Sequence, residues 1–289
     1  MRKTITTIAV AALAAATLGA GTATAAPRPA LSGQLLVLTD DGVLSRHDVR
    51  RPVLPRARVK VVGLAAGERL IGLDTRPANG IVYALSSAGQ LYTVDHRTGR
   101  VTPVGARIAL SGRAVGFDFN PTVDRIRVVT ATGQNLRLNP DNGAVAGTDT
   151  NLAYAATDVA AGRSPRVVGS GYTNSVTGAT STALYGIDSA RDVLVLQGSV
   201  PGAATPVSPN TGQLFSVGGL GLRVRDALAF DITGAAPAGP FNPADYRAVA
   251  AVAPEFYGWA FLVEIDLATG KARPFAPLFG RPVGLTFLN

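Results

Sequence analysis

Between Arg69 and Gly105 short apolar runs alternate with clusters of Gly, Asn, Asp and Pro. Leu70–Asp74 alternates apolar and small positions and then meets Pro77-Ala78-Asn79-Gly80. Ile81–Leu85 is apolar, Ser86–Gly89 is turn-like, and Gln90–Val94 alternates again. Asp95-His96-Arg97-Thr98-Gly99 follows, then Arg100–Val104. A two-residue period, β-branched side chains and this punctuation predict four strands joined by hairpins. No stretch after Pro27 carries apolar residues at i, i+3, i+4 and i+7, so almost no helix is expected.

The unit recurs. Gly72 aligns with Gly116, Asp74 with Asp118, Pro77 with Pro121, Tyr83 with Arg127, Asp95 with Asn139 and Gly99 with Gly143, each pair 44 residues apart. A period of that length built from short strands is the signature of propeller blades. Arg166–Tyr172 and Asp226–Ile232 open two further copies. The chain ends on Arg281–Leu288, an opening strand with nothing after it. It starts, at Gln34–Asp48, on a match to the second and third strands of the unit. The two ends therefore complete one blade, which closes the ring and leaves no free edges. The expected fold is an all-β propeller of five blades, each of four antiparallel strands. A sixth, degenerate blade would have to fall in Gly147–Gly162.

V-G-F-D-F-N-P at residues 115–121, G-Q-N-L-R-L-N-P at 133–140 and G-S-G-Y-T-N at 169–174 resemble a bacterial family known only as domain of unknown function 4394. The resemblance runs over nearly the whole chain after residue 26. It implies an exported, propeller-like protein, and it implies no activity and no catalytic residues.

The first residues change the picture of where the protein works. Arg2 and Lys3 precede an Ala-rich apolar segment, Ile5–Gly19, and Ala23-Thr24-Ala25 is a small-x-small cleavage pattern. This reads as a signal peptide over residues 1–25 with a cut after Ala25, followed by a single domain at 26–289. No later apolar run is long enough to span a bilayer, so a secreted protein without a transmembrane segment is expected. The chain has no Cys, which removes disulfides, thiolate metal sites and Cys nucleophiles. The formal charge is +8, of which Arg2 and Lys3 carry two. The remaining arginines are scattered rather than gathered into a phosphate-tracking run, so no nucleic-acid partner is expected.

Two repeat positions carry candidate chemistry. Asp74, Asp118 and Asp231 share one place on the opening strand, where the other blades have Gly171 and Thr286. Opening strands line a propeller's channel. Carboxylates there suit a hard cation, a carboxylate pair for glycoside hydrolysis, or a blade-to-blade clasp onto backbone. Recurrence at one repeat position favours the clasp. Arg69, Arg113, Arg166 and Arg281 sit five residues earlier, with Arg225 one residue off, and would ring a channel mouth where an anionic ligand could be held. The alternative is pairing with neighbouring acids or simple solvation.

Other signals are weaker. His47 and His96 are the only histidines, neither lies at metal spacing, and His96 is expected to be exposed in its turn. No G-x-S-x-G elbow is present. Asn139–Gly143 lacks the Glu of a calcium loop, and Asp95, Asn139 and Asp266 read instead as turn residues that accept backbone N–H bonds. Tyr257 and Trp259 form an aromatic cluster that either stacks on a sugar or, the favoured reading, packs in the last blade.

The function expected is a non-enzymatic, secreted, monomeric propeller that binds an extracellular ligand or protein, with Arg69, Arg113, Arg166, Arg281, Asp74, Asp118 and Asp231 as candidate binding residues. The alternative is a polysaccharide hydrolase or lyase using the channel carboxylates. No cofactor is implied. Calcium is left open without a motif to indicate it. The Pro- and Gly-rich stretches Thr173–Thr182 and Thr233–Pro243 are expected to be long loops.

Overall fold

The structure, a computed structural model, describes residues 30–112, 115–224, 228–235, 239–253 and 259–288. The segment 1–25 read from the sequence as a signal peptide lies outside these residues, as do Arg113, Arg225 and Tyr257. Among the described residues five sheets, antiparallel apart from one short outer strand, form a closed ring, and helix is confined to two single 3₁₀ turns at Pro209–Thr211 and Pro243–Asp245.

The first blade contains β1 (Gln34–Thr39), β2 (Val43–Asp48) and β3 (Ala57–Lys60). The second is β4 (Leu70–Thr75), β5 (Val82–Ser86), β6 (Leu91–Val94) and β7 (Val101–Val104). The third is β8 (Val115–Asn120), β9 (Arg125–Thr130), β10 (Asn135–Leu138) and β11 (Val145–Thr148). A two-residue strand, β12 (Ala153–Tyr154), precedes the fourth blade: β13 (Val167–Tyr172), β14 (Leu184–Asp188), β15 (Val193–Gln197) and β16 (Gln213–Gly219). The fifth is β17 (Leu228–Thr233), β18 (Arg247–Val252), β19 (Ala260–Ile265) and β20 (Ala272–Leu278). The last strand, β21 (Pro282–Leu288), returns to the first blade and pairs antiparallel with β1, Leu36 opposite Thr286. The ends close the ring as the sequence predicts.

The segment Gly147–Gly162 is not a sixth blade. It supplies β12, which pairs parallel with β16 as an extra outer strand on the fourth blade. Too few residues separate β11 from β13 for four strands and their turns.

Alternation along each strand sends side chains to both faces of a blade, and each face packs on a neighbour. The core is accordingly five separate clusters, one per blade interface. Leu44, Leu73, Tyr92 and Val94 fill the first-to-second interface. Phe117, Phe119, Leu85 and Leu138 fill the next, and Leu35, Val249, Leu262 and Phe287 seal the fifth against the first. Burying one such aliphatic side chain contributes about 1.5–3 kcal/mol, so stability is distributed round the ring.

A polar network between the third and fourth blades departs from the apolar rule. Arg127, 2% exposed, bonds Asn135 at 2.8 Å, Asp149 at 2.5 Å and Asn210 at 2.7 Å. It takes the place that Tyr83 holds in the second blade and ties the chain after β11 to the Pro209–Thr211 turn. The burial is tolerable because the guanidinium is paired and hydrogen-bonded.

Candidate functional site

The opening strands β21, β4, β8, β13 and β17 stand side by side around the channel in that order. Two positions on each decide what the channel can hold. The first is occupied by Gly72, Gly116, Gly169, Ala229 and Gly284. These residues face the next blade: a Cβ on Gly72 would meet Phe117 at 3.0 Å, and one on Gly284 would meet Leu73 at 2.9 Å. Small residues thus let successive opening strands approach closely. With Leu73, Phe117, Ser170, Phe230 and Leu285 they line the channel mouth, a cavity of about 10 Å³ that admits about one water.

The second position is two residues further on, on the same face: Asp74, Asp118, Gly171, Asp231 and Thr286. Each polar member reaches the next blade at the backbone N–H one residue beyond its own counterpart. Asp74 Oδ2 accepts from Phe119 N–H at 2.8 Å. Asp118 Oδ1 accepts from Tyr172 N–H at 2.8 Å, and Asp231 Oδ2 from Phe287 N–H at 2.7 Å. Thr286 Oγ1 accepts from Thr75 N–H at 3.0 Å and donates to Asp74 Oδ1 at 2.8 Å. Gly171 has nothing to offer, and there Ile232 N–H turns to Oδ1 of its own neighbour, Asp231, at 2.6 Å. This is the clasp expected from the repeat. Opening strands of different blades cannot share a ladder, so their inner N–H groups need side-chain acceptors.

The clasp brings three carboxylates together. Asp74, Asp118 and Asp231 each present an oxygen, and the three lie within 4.8 Å of one another. All are buried, Asp118 at 1% exposure. Burial, reinforced by the Asp231 charge, holds Asp74 well above the usual carboxylate range. Burial and then the charges of Asp74 and Asp231 do the same for Asp118. Burial also raises Asp231, to about 6, with its backbone donors opposing. The oxygens lie closer than the roughly 5–5.5 Å of a retaining glycosidase pair, and the carboxylates are turned onto backbone beneath a mouth that admits about one water.

The arginine column divides. Arg69, Arg166 and Arg281 are exposed at the starts of their strands, on the rim of the ring, and Arg113 lies outside the described residues. Trp259 shares that end of the ring. It is 51% exposed and stacks on Phe279, 59% exposed, at 6.4 Å between ring centroids. The expectation that it packs into the blade is corrected: Trp259 is half exposed, and among the described aromatic residues its ring contact is with Phe279. His96 is also corrected, being half-buried with its Nδ1 enclosed. His47 is buried, with Nδ1 on Pro52 O at 2.7 Å and Nε2 on the Ser45 hydroxyl at 2.9 Å. The turn reading of Asp95, Asn139 and Asp266 holds, each accepting the N–H two residues on at 2.9–3.0 Å.

The opposite end of the ring carries a polar cross-tie. Arg76 bonds Asp141 at 2.7 Å and pairs with Asp124, joining the second and third blades. The loop at Thr173–Thr182 crosses beneath, with Thr177 Oγ1 donating to Pro77 O at 2.7 Å. Sequence reasoning missed this cross-tie, since its partners lie as far as 100 residues apart.

The chain belongs to the family described as Domain of unknown function (DUF4394), which matches residues 43–284. No curated protein matches the sequence. Among solved structures, the chain is similar to one in a nidogen/laminin complex at 15% identity, covering 89% of this chain and 98% of that one, with a TM-score of 0.49. It is also similar to a dihydro-heme d1 dehydrogenase, NirN, at 15% identity, covering 90% and 58%, with a TM-score of 0.37. Among the described residues no helix is long and apolar enough to cross a membrane.

Proposed function

We propose that the protein is exported, with its N-terminal segment removed near Ala25, and that it works outside the cell as a non-enzymatic binding propeller. Its ligand face is the rim where the opening strands begin, and the ligand is anionic. One observation carries the reading: the channel carboxylates are engaged with backbone under a mouth that admits about one water, whereas Arg69, Arg166 and Arg281 stand exposed on the rim. Guanidinium groups at a rim recognise carboxylate or phosphate through paired N–H donors. Charge at such a site sets the salt dependence of binding.

The test is binding of polygalacturonate, an anionic chain, with dextran as the neutral control. Wild-type protein is expected to retain polygalacturonate alone, less so as salt rises, and the Arg69→Ala/Arg166→Ala/Arg281→Ala variant is expected to bind at least tenfold more weakly. Equal retention of dextran overturns the anionic reading. Release of reducing ends by the wild type, lost in Asp118→Asn, overturns the non-enzymatic one in favour of a polysaccharide hydrolase or lyase.

A further inference from the structure

The carboxylate triad needs a counter-charge. Among the described ion pairs none joins Asp74, Asp118 or Asp231 to a Lys or Arg, and the three lie within 4.8 Å of one another. Three unpaired carboxylates cannot all stay ionised at this burial, so the site holds protons or a cation. The geometry suits a cation. Oxygens within 4.8 Å of one another put the centre of their triangle at most about 2.8 Å from each, which admits calcium coordination at about 2.3–2.6 Å; a cluster of protein carboxylates suits calcium, whereas magnesium keeps several waters and is seldom held by protein ligands alone. Backbone donors fix the carboxylates in place yet leave oxygen lone pairs over. Among the described hydrogen bonds Asp118 uses only Oδ1, so its Oδ2 is available.

A second observation comes from the channel wall. Ser170 is 2% exposed, and its Oγ has no hydrogen-bond partner. A buried hydroxyl left unpaired has given up its hydrogen bonds to water with nothing in return. The side chain points from β13 at β8, where its Oγ sits 2.1 Å from the place a Cβ on Gly116 would take. Gly116 precedes Asp118 by two residues on one face of β8, roughly 7 Å along the strand. Ser170 therefore lines the water-sized cavity at the level of Gly116, two residues along β8 from Asp118. An orphaned hydroxyl beside that cavity is positioned to hold a water that completes an ion's coordination.

We propose that Asp74, Asp118 and Asp231 bind one calcium ion on the propeller axis, with a water at Ser170 Oγ between the ion and the channel mouth. The ion links the second, third and fifth blades through the same carboxylates that clasp their neighbours. It satisfies Ser170 and replaces protons on the carboxylates.

The full chain without its first 25 residues is stripped with EDTA and titrated with CaCl2 and, separately, MgCl2. Metal content, binding heat and thermal unfolding are measured. One calcium per chain is expected, with unfolding raised by about 5 °C at a hundredfold excess over Kd, and magnesium giving a much smaller shift. Asp118→Asn keeps an acceptor for Tyr172 N–H, so it is expected to fold and to lose the calcium response. Ser170→Ala is expected to weaken calcium several-fold. No calcium bound and no shift in the wild type at millimolar calcium overturns the proposal without recourse to a variant. A calcium response retained by folded Asp118→Asn overturns the site, an equal magnesium response overturns the choice of ion, and unchanged affinity in Ser170→Ala overturns the role of the water.

Discussion

Thr286→Val tests whether the clasp holds the ring closed. Thr286 lies on β21, which the end of the chain contributes to the first blade, and it is fully buried. Its hydroxyl donates to Asp74 Oδ1 at 2.8 Å and accepts from Thr75 N–H at 3.0 Å, so it joins the closing blade to the second. Valine keeps the shape and the β-branched backbone preference, and removes only the hydroxyl. Thr75 N–H retains Asp74 Oδ1 at 2.7 Å, so the loss falls on the buried carboxyl, and leaving a buried polar group short of its partner costs about 1–3 kcal/mol. The expected destabilisation is about 2 kcal/mol, a fall in Tm of roughly 4–8 °C for a chain of this size. Urea unfolding followed by tryptophan fluorescence and circular dichroism reads it as a lower midpoint with an unchanged slope. Thr102→Val, at an exposed position on β7, serves as the control and is expected to change stability by less than about 0.5 kcal/mol. A Thr286→Val protein as stable as the control would refute the argument, because the hydroxyl would then contribute nothing to closure.

Two further outcomes follow from the packing and the buried titrating groups. Gly116→Ala puts a methyl 2.1 Å from Ser170 Oγ and 2.8 Å from a Val129 methyl; the overpacking is expected to cost about 1–3 kcal/mol in thermal unfolding, and Ser170→Gly in the same chain to recover part of it, with strict additivity of the two changes refuting the close contact. Burial holds His47 below its ordinary pKa of 6.5, with Arg58 on the paired β3 acting the same way and the Pro52 carbonyl opposing. The folded state therefore binds that proton more weakly than the unfolded chain, so the His47 contribution is complete above pH 6.5 and is lost as the pH falls through the folded pKa. Melting temperatures from pH 7.5 to 5 are expected to fall more steeply for the wild type than for His47→Asn, and parallel curves would refute it.

Much of this architecture is legible in the order of residues. The 44-residue period, the Gly and Asp markers of the opening strand and the match between the two ends give blades, ring and closure, because each depends on local alternation and turn chemistry that one blade carries in full. The clasp role of Asp74, Asp118 and Asp231 is legible for the same reason: a residue repeated at one position in several blades serves what the blades share. The single extra strand β12 is not, since two residues carry no period and owe their pairing to β16, some 60 residues later in the chain. Arg127 also departs from the repeat, and its partners Asp149 and Asn210 meet only when the fourth blade packs on the third.

The sequence by itself determined which residues form strands and how the strands group, because strand formation and hairpin turns are short-range properties of the chain. Tertiary structure alone decided what the polar column becomes. Three aspartates separated by 44 and 113 residues are brought within 4.8 Å only when the ring closes. Closure also sets their burial, turns their oxygens onto the N–H groups of the next blade, and places Ser170 beside the water-sized cavity. Their ionisation, and the cation site proposed for them, rest on distance and solvent exclusion, which depend on the closed ring and not on neighbours along the chain.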